Sequence, residues 1–238
     1  MEALLSYILL IVMYFLGLYI FRNVTIIGIE NIPRSIHVLI ISNHRCFIDS
    51  FLIRIRMINL KELFFFQKRI PYDAGDKNNF FSTKLKSYFM KLLKIISVDR
   101  EAMNTFLANK LIEIYCKILQ VSNLILFPEG GRTKIGHNVM DVFKTGVAKT
   151  ILIMTLREPD FKVVPIYIDE VMNEIMPREI GQKYLKVKTG KKGYMIIGEP
   201  VSFLDICIEN ISDEEKIEQI IERGRMAILN LKTKIPCE

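Results

Sequence analysis

Beyond residue 22 the chain alternates short apolar runs of strand length with longer stretches of helical period, and this rhythm limits the folds open to it. Residues 24–28, 38–41, 95–98, 123–127 and 161–168 read as strands, built largely from Val, Ile and Leu. Residues 101–119 place Met103, Phe106, Leu107, Leu111, Ile114, Tyr115 and Ile118 at three- and four-residue spacing, the stripe of a half-buried helix. Residues 145–156 and 212–232 also read as helices. The latter opens with Ser212-Asp213-Glu214-Glu215, a pattern in which Ser212 and Glu215 satisfy each other's exposed amides. Residues 63–66 form a further apolar run, 71–79 read as a loop, and 80–96 as a basic amphipathic helix carrying Lys84, Lys86, Lys91 and Lys94. Residues 184–187 and 194–197 suggest a hairpin. Strands alternating with helices predict an α/β fold: a mixed, mostly parallel sheet flanked by helices. Such sheets bind ligands beyond the ends of their strands.

Residues 3–21 are nineteen in a row without a charge, enough at about 1.5 Å per residue to cross a hydrocarbon layer of about 30 Å. No charged leader precedes the run and no small-residue cleavage site follows it, which disfavours a signal peptide. Arg22 and Arg34 follow the run while Glu2 precedes it, and positive flanks face the cytoplasm. The expectation is an N-terminal membrane helix over 1–22, with one globular domain over 23–238 on the cytoplasmic side. A helix lying in the membrane plane is the alternative.

Thirty-three Lys and Arg against 26 Asp and Glu leave a net charge of +7. That excess favours anionic partners such as phosphorylated ligands, acidic carriers or a lipid surface. No nucleic-acid recognition motif accompanies it. The four cysteines show no ligand-like spacing with histidine, so neither a metal site nor a disulfide frame is expected.

Two stretches carry chemistry. Asn43-His44-Arg45-Cys46-Phe47-Ile48-Asp49 follows the 38–41 strand and precedes a helical segment. His44 is a candidate base and Asp49 the carboxylate that would orient it. Five residues turn through about 500° of helix. The two can therefore meet only if His44 stays in the turn and Asp49 opens the helix. Cys46 is read as a small packing residue, since nothing marks its thiol as activated. The second stretch, Phe127-Pro128-Glu129-Gly130-Gly131-Arg132-Thr133, ends another strand. Gly130 and Gly131 let backbone approach a ligand, and Arg132 offers a guanidinium fork for phosphate. Arg100, at a third strand end, is a further phosphate ligand or else an ion-pair partner of Asp99 or Glu101.

These stretches resemble the glycerolipid acyltransferases, which share an NHxxxxD block and an FPEGxR block. Val98-Asp99-Arg100 looks like the family's second block and Val164-Pro165-Ile166 like its fourth. The order is the family's, over roughly residues 24–201. Cys46 stands where Ser is frequent, and Gly131 where Thr is. The resemblance implies direct acyl transfer from acyl-CoA or acyl-carrier protein to the sn-2 hydroxyl of lysophosphatidate, without a cofactor. It implies His44 and Asp49 as catalytic residues, with Arg100, Glu129, Gly130, Gly131 and Arg132 on the acceptor. Lys68 and Lys144 are candidates for supporting the oxyanion or the phosphate. Glycerol 3-phosphate or another lysophospholipid is the alternative acceptor. A non-catalytic basic protein of the membrane surface is a more distant one.

Overall fold

A computed structural model describes residues 2–46, 49–57, 67–133, 140–169 and 192–236. In chain order they form helix α1 (Glu2–Ile20), strands β1 (Val24–Ile27) and β2 (Val38–Ser42), α2 (Asp49–Met57), β3 (Tyr72–Asp76), α3 (Lys77–Phe80), α4 (Lys84–Leu92) and β4 (Ile95–Val98). There follow α5 (Thr105–Leu119), β5 (Leu124–Leu126), α6 (Thr145–Arg157), β6 (Lys162–Ile168), β7 (Gly193–Ile197), α7 (Leu204–Ile208) and α8 (Asp213–Leu229).

The seven strands make one sheet in the order β1-β7-β6-β2-β5-β3-β4. Every pairing is parallel except β6 with β7. This is the mixed, mostly parallel α/β sheet that the alternation of runs predicts. β2 lies near the centre and all five of its residues are buried, as a strand covered on both faces requires. Its side chains alternate between two cores. Leu39 and Ile41 join Leu124, Tyr115, Ile151 and Ile220 under α5, α6 and α8. Val38 and Ile40 join Ile125, Leu52 and Ile53 under α1 and α2. Leu52 and Ile53 are fully buried, and each contributes about 1.5–3 kcal/mol of burial to holding α2 on the sheet. The expected cap of α8 forms in full, with Ser212 and Glu215 bonded reciprocally.

Several expectations change. Residues 71–79 are not a loop: β3 and α3 occupy them, because β5 and β4 offer backbone partners on both sides, pairing Tyr72 with Leu124 and Asp73 with Ile95. The expected 80–96 helix is shortened to α4. Thr83 caps its start, and Lys94 turns into the left-handed region (φ 57°) before β4. β7 has β1 on one side and β6 on the other. The other arm of the expected hairpin, 184–187, lies outside the described residues, as does the 63–66 run.

The uncharged N-terminal run is helical, but among the described residues no helix is long and apolar enough to cross a membrane. The expected spanning anchor is therefore not found, and one side of α1 packs on the protein. Gly17 lets Ile55 of α2 come so close that a Cβ at Gly17 would stand 1.8 Å from its Cδ1. Tyr14, Leu18 and Ile20 join the core that α2 covers, and Leu10 and Ile11 meet Ile70. One flank of α1 is thus protein interior. The opposite stripe, Ile8, Val12, Phe15 and Tyr19, stays 51–66% exposed.

Candidate active site

Four adjacent parallel strands, β2, β5, β3 and β4, end side by side, and the polar stretches start where they end. Asn43, directly after β2, is buried and exchanges two hydrogen bonds with the end of β6. Its Nδ2 donates to the Ile168 carbonyl at 2.8 Å, and its Oδ1 accepts from the Ile168 amide at 2.7 Å. That stitch fixes where the chain leaves the sheet. His44 then sits in the turn, and Asp49 is the first residue of α2. The sequence condition for their meeting is fulfilled: His44 Nδ1 lies 2.9 Å from Asp49 Oδ2.

The same Asp49 oxygen accepts the backbone amides of Arg45 and Cys46, and Oδ1 accepts the Cys46 thiol at 2.8 Å. Four donors around one fully buried carboxylate suit an ionised, acceptor-only group. Cys46 therefore does more than fill space; its Sγ–H orients the carboxylate that orients the histidine. With Nδ1–H donated to Asp49, the Nε2 lone pair is left to take a proton. Phe127 stacks on the imidazole at 4.2 Å between centroids and 19° between planes, which fixes the ring's tilt. His37 lies at the other end of β2, where its Nδ1 pairs with the Leu119 carbonyl. His137 lies outside the described residues.

The 127–133 turn meets His44 through its backbone. Glu129 Oε1 accepts the His44 amide at 2.9 Å, and Oε2 accepts the Thr133 hydroxyl at 2.8 Å. The Thr133 amide donates in turn to the His44 carbonyl at 2.8 Å. Both carboxylate oxygens of Glu129 thus brace the turn around His44. Gly130 adopts φ +68°, a conformation that favours glycine. A Cβ there would also meet Lys144 Cε at 3.1 Å. Its N–H closes the turn on the Phe127 carbonyl at 2.9 Å, so it is not offered to an oxyanion. Lys144 lies across this turn, its amide bonded to the Pro128 carbonyl at 2.7 Å.

Arg100 and Arg132 line the same cavity as His44, which encloses about 360 Å³. Arg100 Nε lies 3.7 Å from Asp76 Oδ2, and its guanidinium reaches to within 3.8 Å of where a Gly131 Cβ would stand. Asp99, one of the two ion-pair partners that the sequence offers Arg100, pairs with Lys77 at 2.8 Å. Lys68 does not join the group. Its carbonyl accepts the Ser122 hydroxyl just before β5 begins, at the opposite end of the strands from His44. Sequence reasoning missed Asn43, Phe127 and Thr133 as site-building residues, although all three stand within the quoted stretches.

Comparison with known proteins gives a family and a fold. The family described as Acyltransferase matches residues 23–169. Among solved structures, the fold is similar to that of the 1-acyl-sn-glycerophosphate (LPA) acyltransferase PlsC of Thermotoga maritima, with a TM-score of 0.57 and 18% identity. The match covers 94% of this chain and 80% of that one. No curated protein sequence matches the chain.

Proposed function

The chain belongs to the acyltransferase family, and from that premise we propose that it moves a fatty acyl group from a thioester to the sn-2 hydroxyl of lysophosphatidate. The observation that carries this reading is one cavity lined by His44, Arg100 and Arg132 together with the apolar side chains of α1 and α2. A base, two guanidinium groups and a greasy wall suit an alcohol whose molecule carries both a phosphate and a chain.

His44 Nε2 takes the proton of the acceptor hydroxyl as its oxygen attacks the thioester carbonyl. The tetrahedral intermediate then collapses, the C–S bond breaks, and the leaving thiolate takes the proton back from Nε2. General-base catalysis of this kind supplies about 10²–10⁴-fold. Asp49 holds the imidazole in the tautomer that this needs and balances the imidazolium. Arg100 and Arg132 grip the phosphate. The donor is acyl-CoA or an acyl-carrier protein, and the apolar part of the cavity takes a hydrocarbon chain. The exposed stripe of Ile8, Val12, Phe15 and Tyr19 supports α1 lying in the plane of a lipid surface, from which both lipids would enter.

The test is free-thiol release from acyl-CoA by the purified full chain, with lysophosphatidate, glycerol 3-phosphate or no acceptor. Release that depends on lysophosphatidate bears the reading out. Release that prefers glycerol 3-phosphate moves the chain to the other branch of the family. Release without any acceptor, or none at all, refutes acyl transfer.

A further inference from the structure

Most of the cavity wall is aliphatic or aromatic, yet besides His44, Asp76, Asn79, Arg100 and Arg132 three further polar side chains line it: Ser50 and Arg54 on α2, and Asp73 on β3. Ser50 and Arg54 are four residues apart, so they share one face of the helix. Asp73 stands three residues before Asp76 on the same strand. That places it roughly 10 Å below the rim where Asp76 meets Arg100.

Arg54 and Asp73 are 7% and 5% exposed. A buried guanidinium and a buried carboxyl are costly next to hydrocarbon unless their hydrogen-bonding capacity is used. Part of it is. Arg54 Nη1 donates to the Leu93 carbonyl and Nη2 to that of Lys94 at 3.4 Å, while Asp73 Oδ1 accepts the Ala74 amide at 2.7 Å. Ser50 hydrogen-bonds the Asp73 carboxyl. Arg54 Nε, in contrast, is buried and meets no acceptor among the described residues. Burial pushes the Asp73 carboxyl up, and the Arg54 charge and the Ser50 hydroxyl pull it back down. A wall built only to hold methylenes has no use for such a guanidinium, whose Nε–H has no partner among the described residues and whose charge acts on the Asp73 carboxyl.

We propose that Ser50, Arg54 and Asp73 form a polar station that reads a hydroxyl on the donor's acyl chain. The hydroxyl oxygen accepts from Arg54 Nε–H, and its proton is donated to the Asp73 carboxyl. The depth of Asp73 along β3 places the favoured hydroxyl several carbons from the thioester rather than beside it. The inference rests on the acyl-transfer reading of the same cavity.

The experiment uses the full chain, lysophosphatidate, a saturated acyl-CoA and its monohydroxylated isomers of equal length, with the hydroxyl stepped along the chain. One mid-chain isomer is expected to exceed the saturated thioester in kcat/KM by about tenfold, the range of a hydrogen bond to a charged group. Arg54→Met and Asp73→Asn are expected to bring that ratio toward one. The ratio is internal to each variant, so partial loss of folded protein cancels. An unaltered chain that turns over every hydroxylated isomer no faster than the saturated thioester overturns the station while leaving acyl transfer standing. A preference that survives both substitutions also overturns it. No acceptor-dependent release from any thioester, the saturated one included, overturns the acyl-transfer reading and the station together.

Discussion

Glu129 Oε1 accepts the backbone amide of His44 at 2.9 Å across 85 positions of sequence. This one hydrogen bond joins the two stretches in which the chemistry is written. It belongs to a closed clasp, since the Thr133 hydroxyl donates to Glu129 and the Thr133 amide to the His44 carbonyl. Glu129→Ala is therefore expected to lower kcat more than it raises the acceptor's KM, and to destabilise the fold by about 1–3 kcal/mol through the buried amide left unpaired. Steady-state kinetics and chemical denaturation check both. An effect confined to the acceptor's KM would return Glu129 to the substrate.

His44→Ala is expected to reduce acceptor-dependent thiol release by about 10²–10⁴-fold with the fold intact. Asp49→Asn should fall in the same direction. An amide cannot replace a carboxylate as the acceptor of four donors, and the imidazolium loses its counter-charge. Circular dichroism beside the rate measurement separates loss of chemistry from loss of structure.

Arg100→Ala and Arg132→Ala should each raise the apparent KM for the phosphorylated acceptor by about 10–100-fold, the equivalent of one charge-assisted contact. The KM for the acyl donor should change little. Varying each substrate at saturating levels of the other reads this directly. A change only in the donor's KM would place these guanidinium groups elsewhere in the reaction.

Lys94 supplies a pH signature. Burial, and secondarily the charge of Arg54, lower its pKa from 10.5 to about 8, while its Nζ donates to the Ile70 carbonyl at 3.1 Å and lies 5.0 Å from the Tyr72 ring centroid. Between pH 8 and 10.5 the unfolded chain binds the proton that the folded chain has released, so this group makes stability rise with pH across that window. Below it the full penalty of the buried charge applies. Lys94→Met should flatten the rise, as measured by urea denaturation at successive pH values. An unchanged slope would show that the lysine titrates normally.

Asn43→Ala should destabilise the protein by about 1–3 kcal/mol for each of the two Ile168 backbone groups it leaves buried and unpaired. It should also lower activity, because His44 follows it directly. Intact stability with lost activity would mean that the stitch to β6 is dispensable and that Asn43 acts on substrate.

Much of the fold was legible because the signals were local. The apolar runs of β2, β5 and β6 were named within a few residues, and the Ser212–Glu215 cap was found because its partners lie three residues apart. The 71–79 stretch was misread for the opposite reason. Its turn-forming composition says loop, and only strands β4 and β5, distant in sequence, make β3 of it. The N-terminal run read as a membrane span because hydropathy counts apolar residues without asking what covers them. Gly17 against Ile55 shows that part of α1 is covered by protein.

What the sequence determined on its own is the chemistry available at each strand end: an imidazole with a carboxylate five residues on, a glycine turn carrying a guanidinium, and a further arginine. Local spacing and residue type are enough for that. Which of these groups face one another was decided by tertiary structure, because parallel strands β2, β5, β3 and β4 lie side by side in an order unlike their order in the chain. The same packing put both carboxylate oxygens of Glu129 on the turn around His44, and left Lys68 at the far end of the sheet. It also buried Arg54 and Asp73 in the wall of the cavity. Contacts across tens of residues carry no local period, so only the folded sheet could show them.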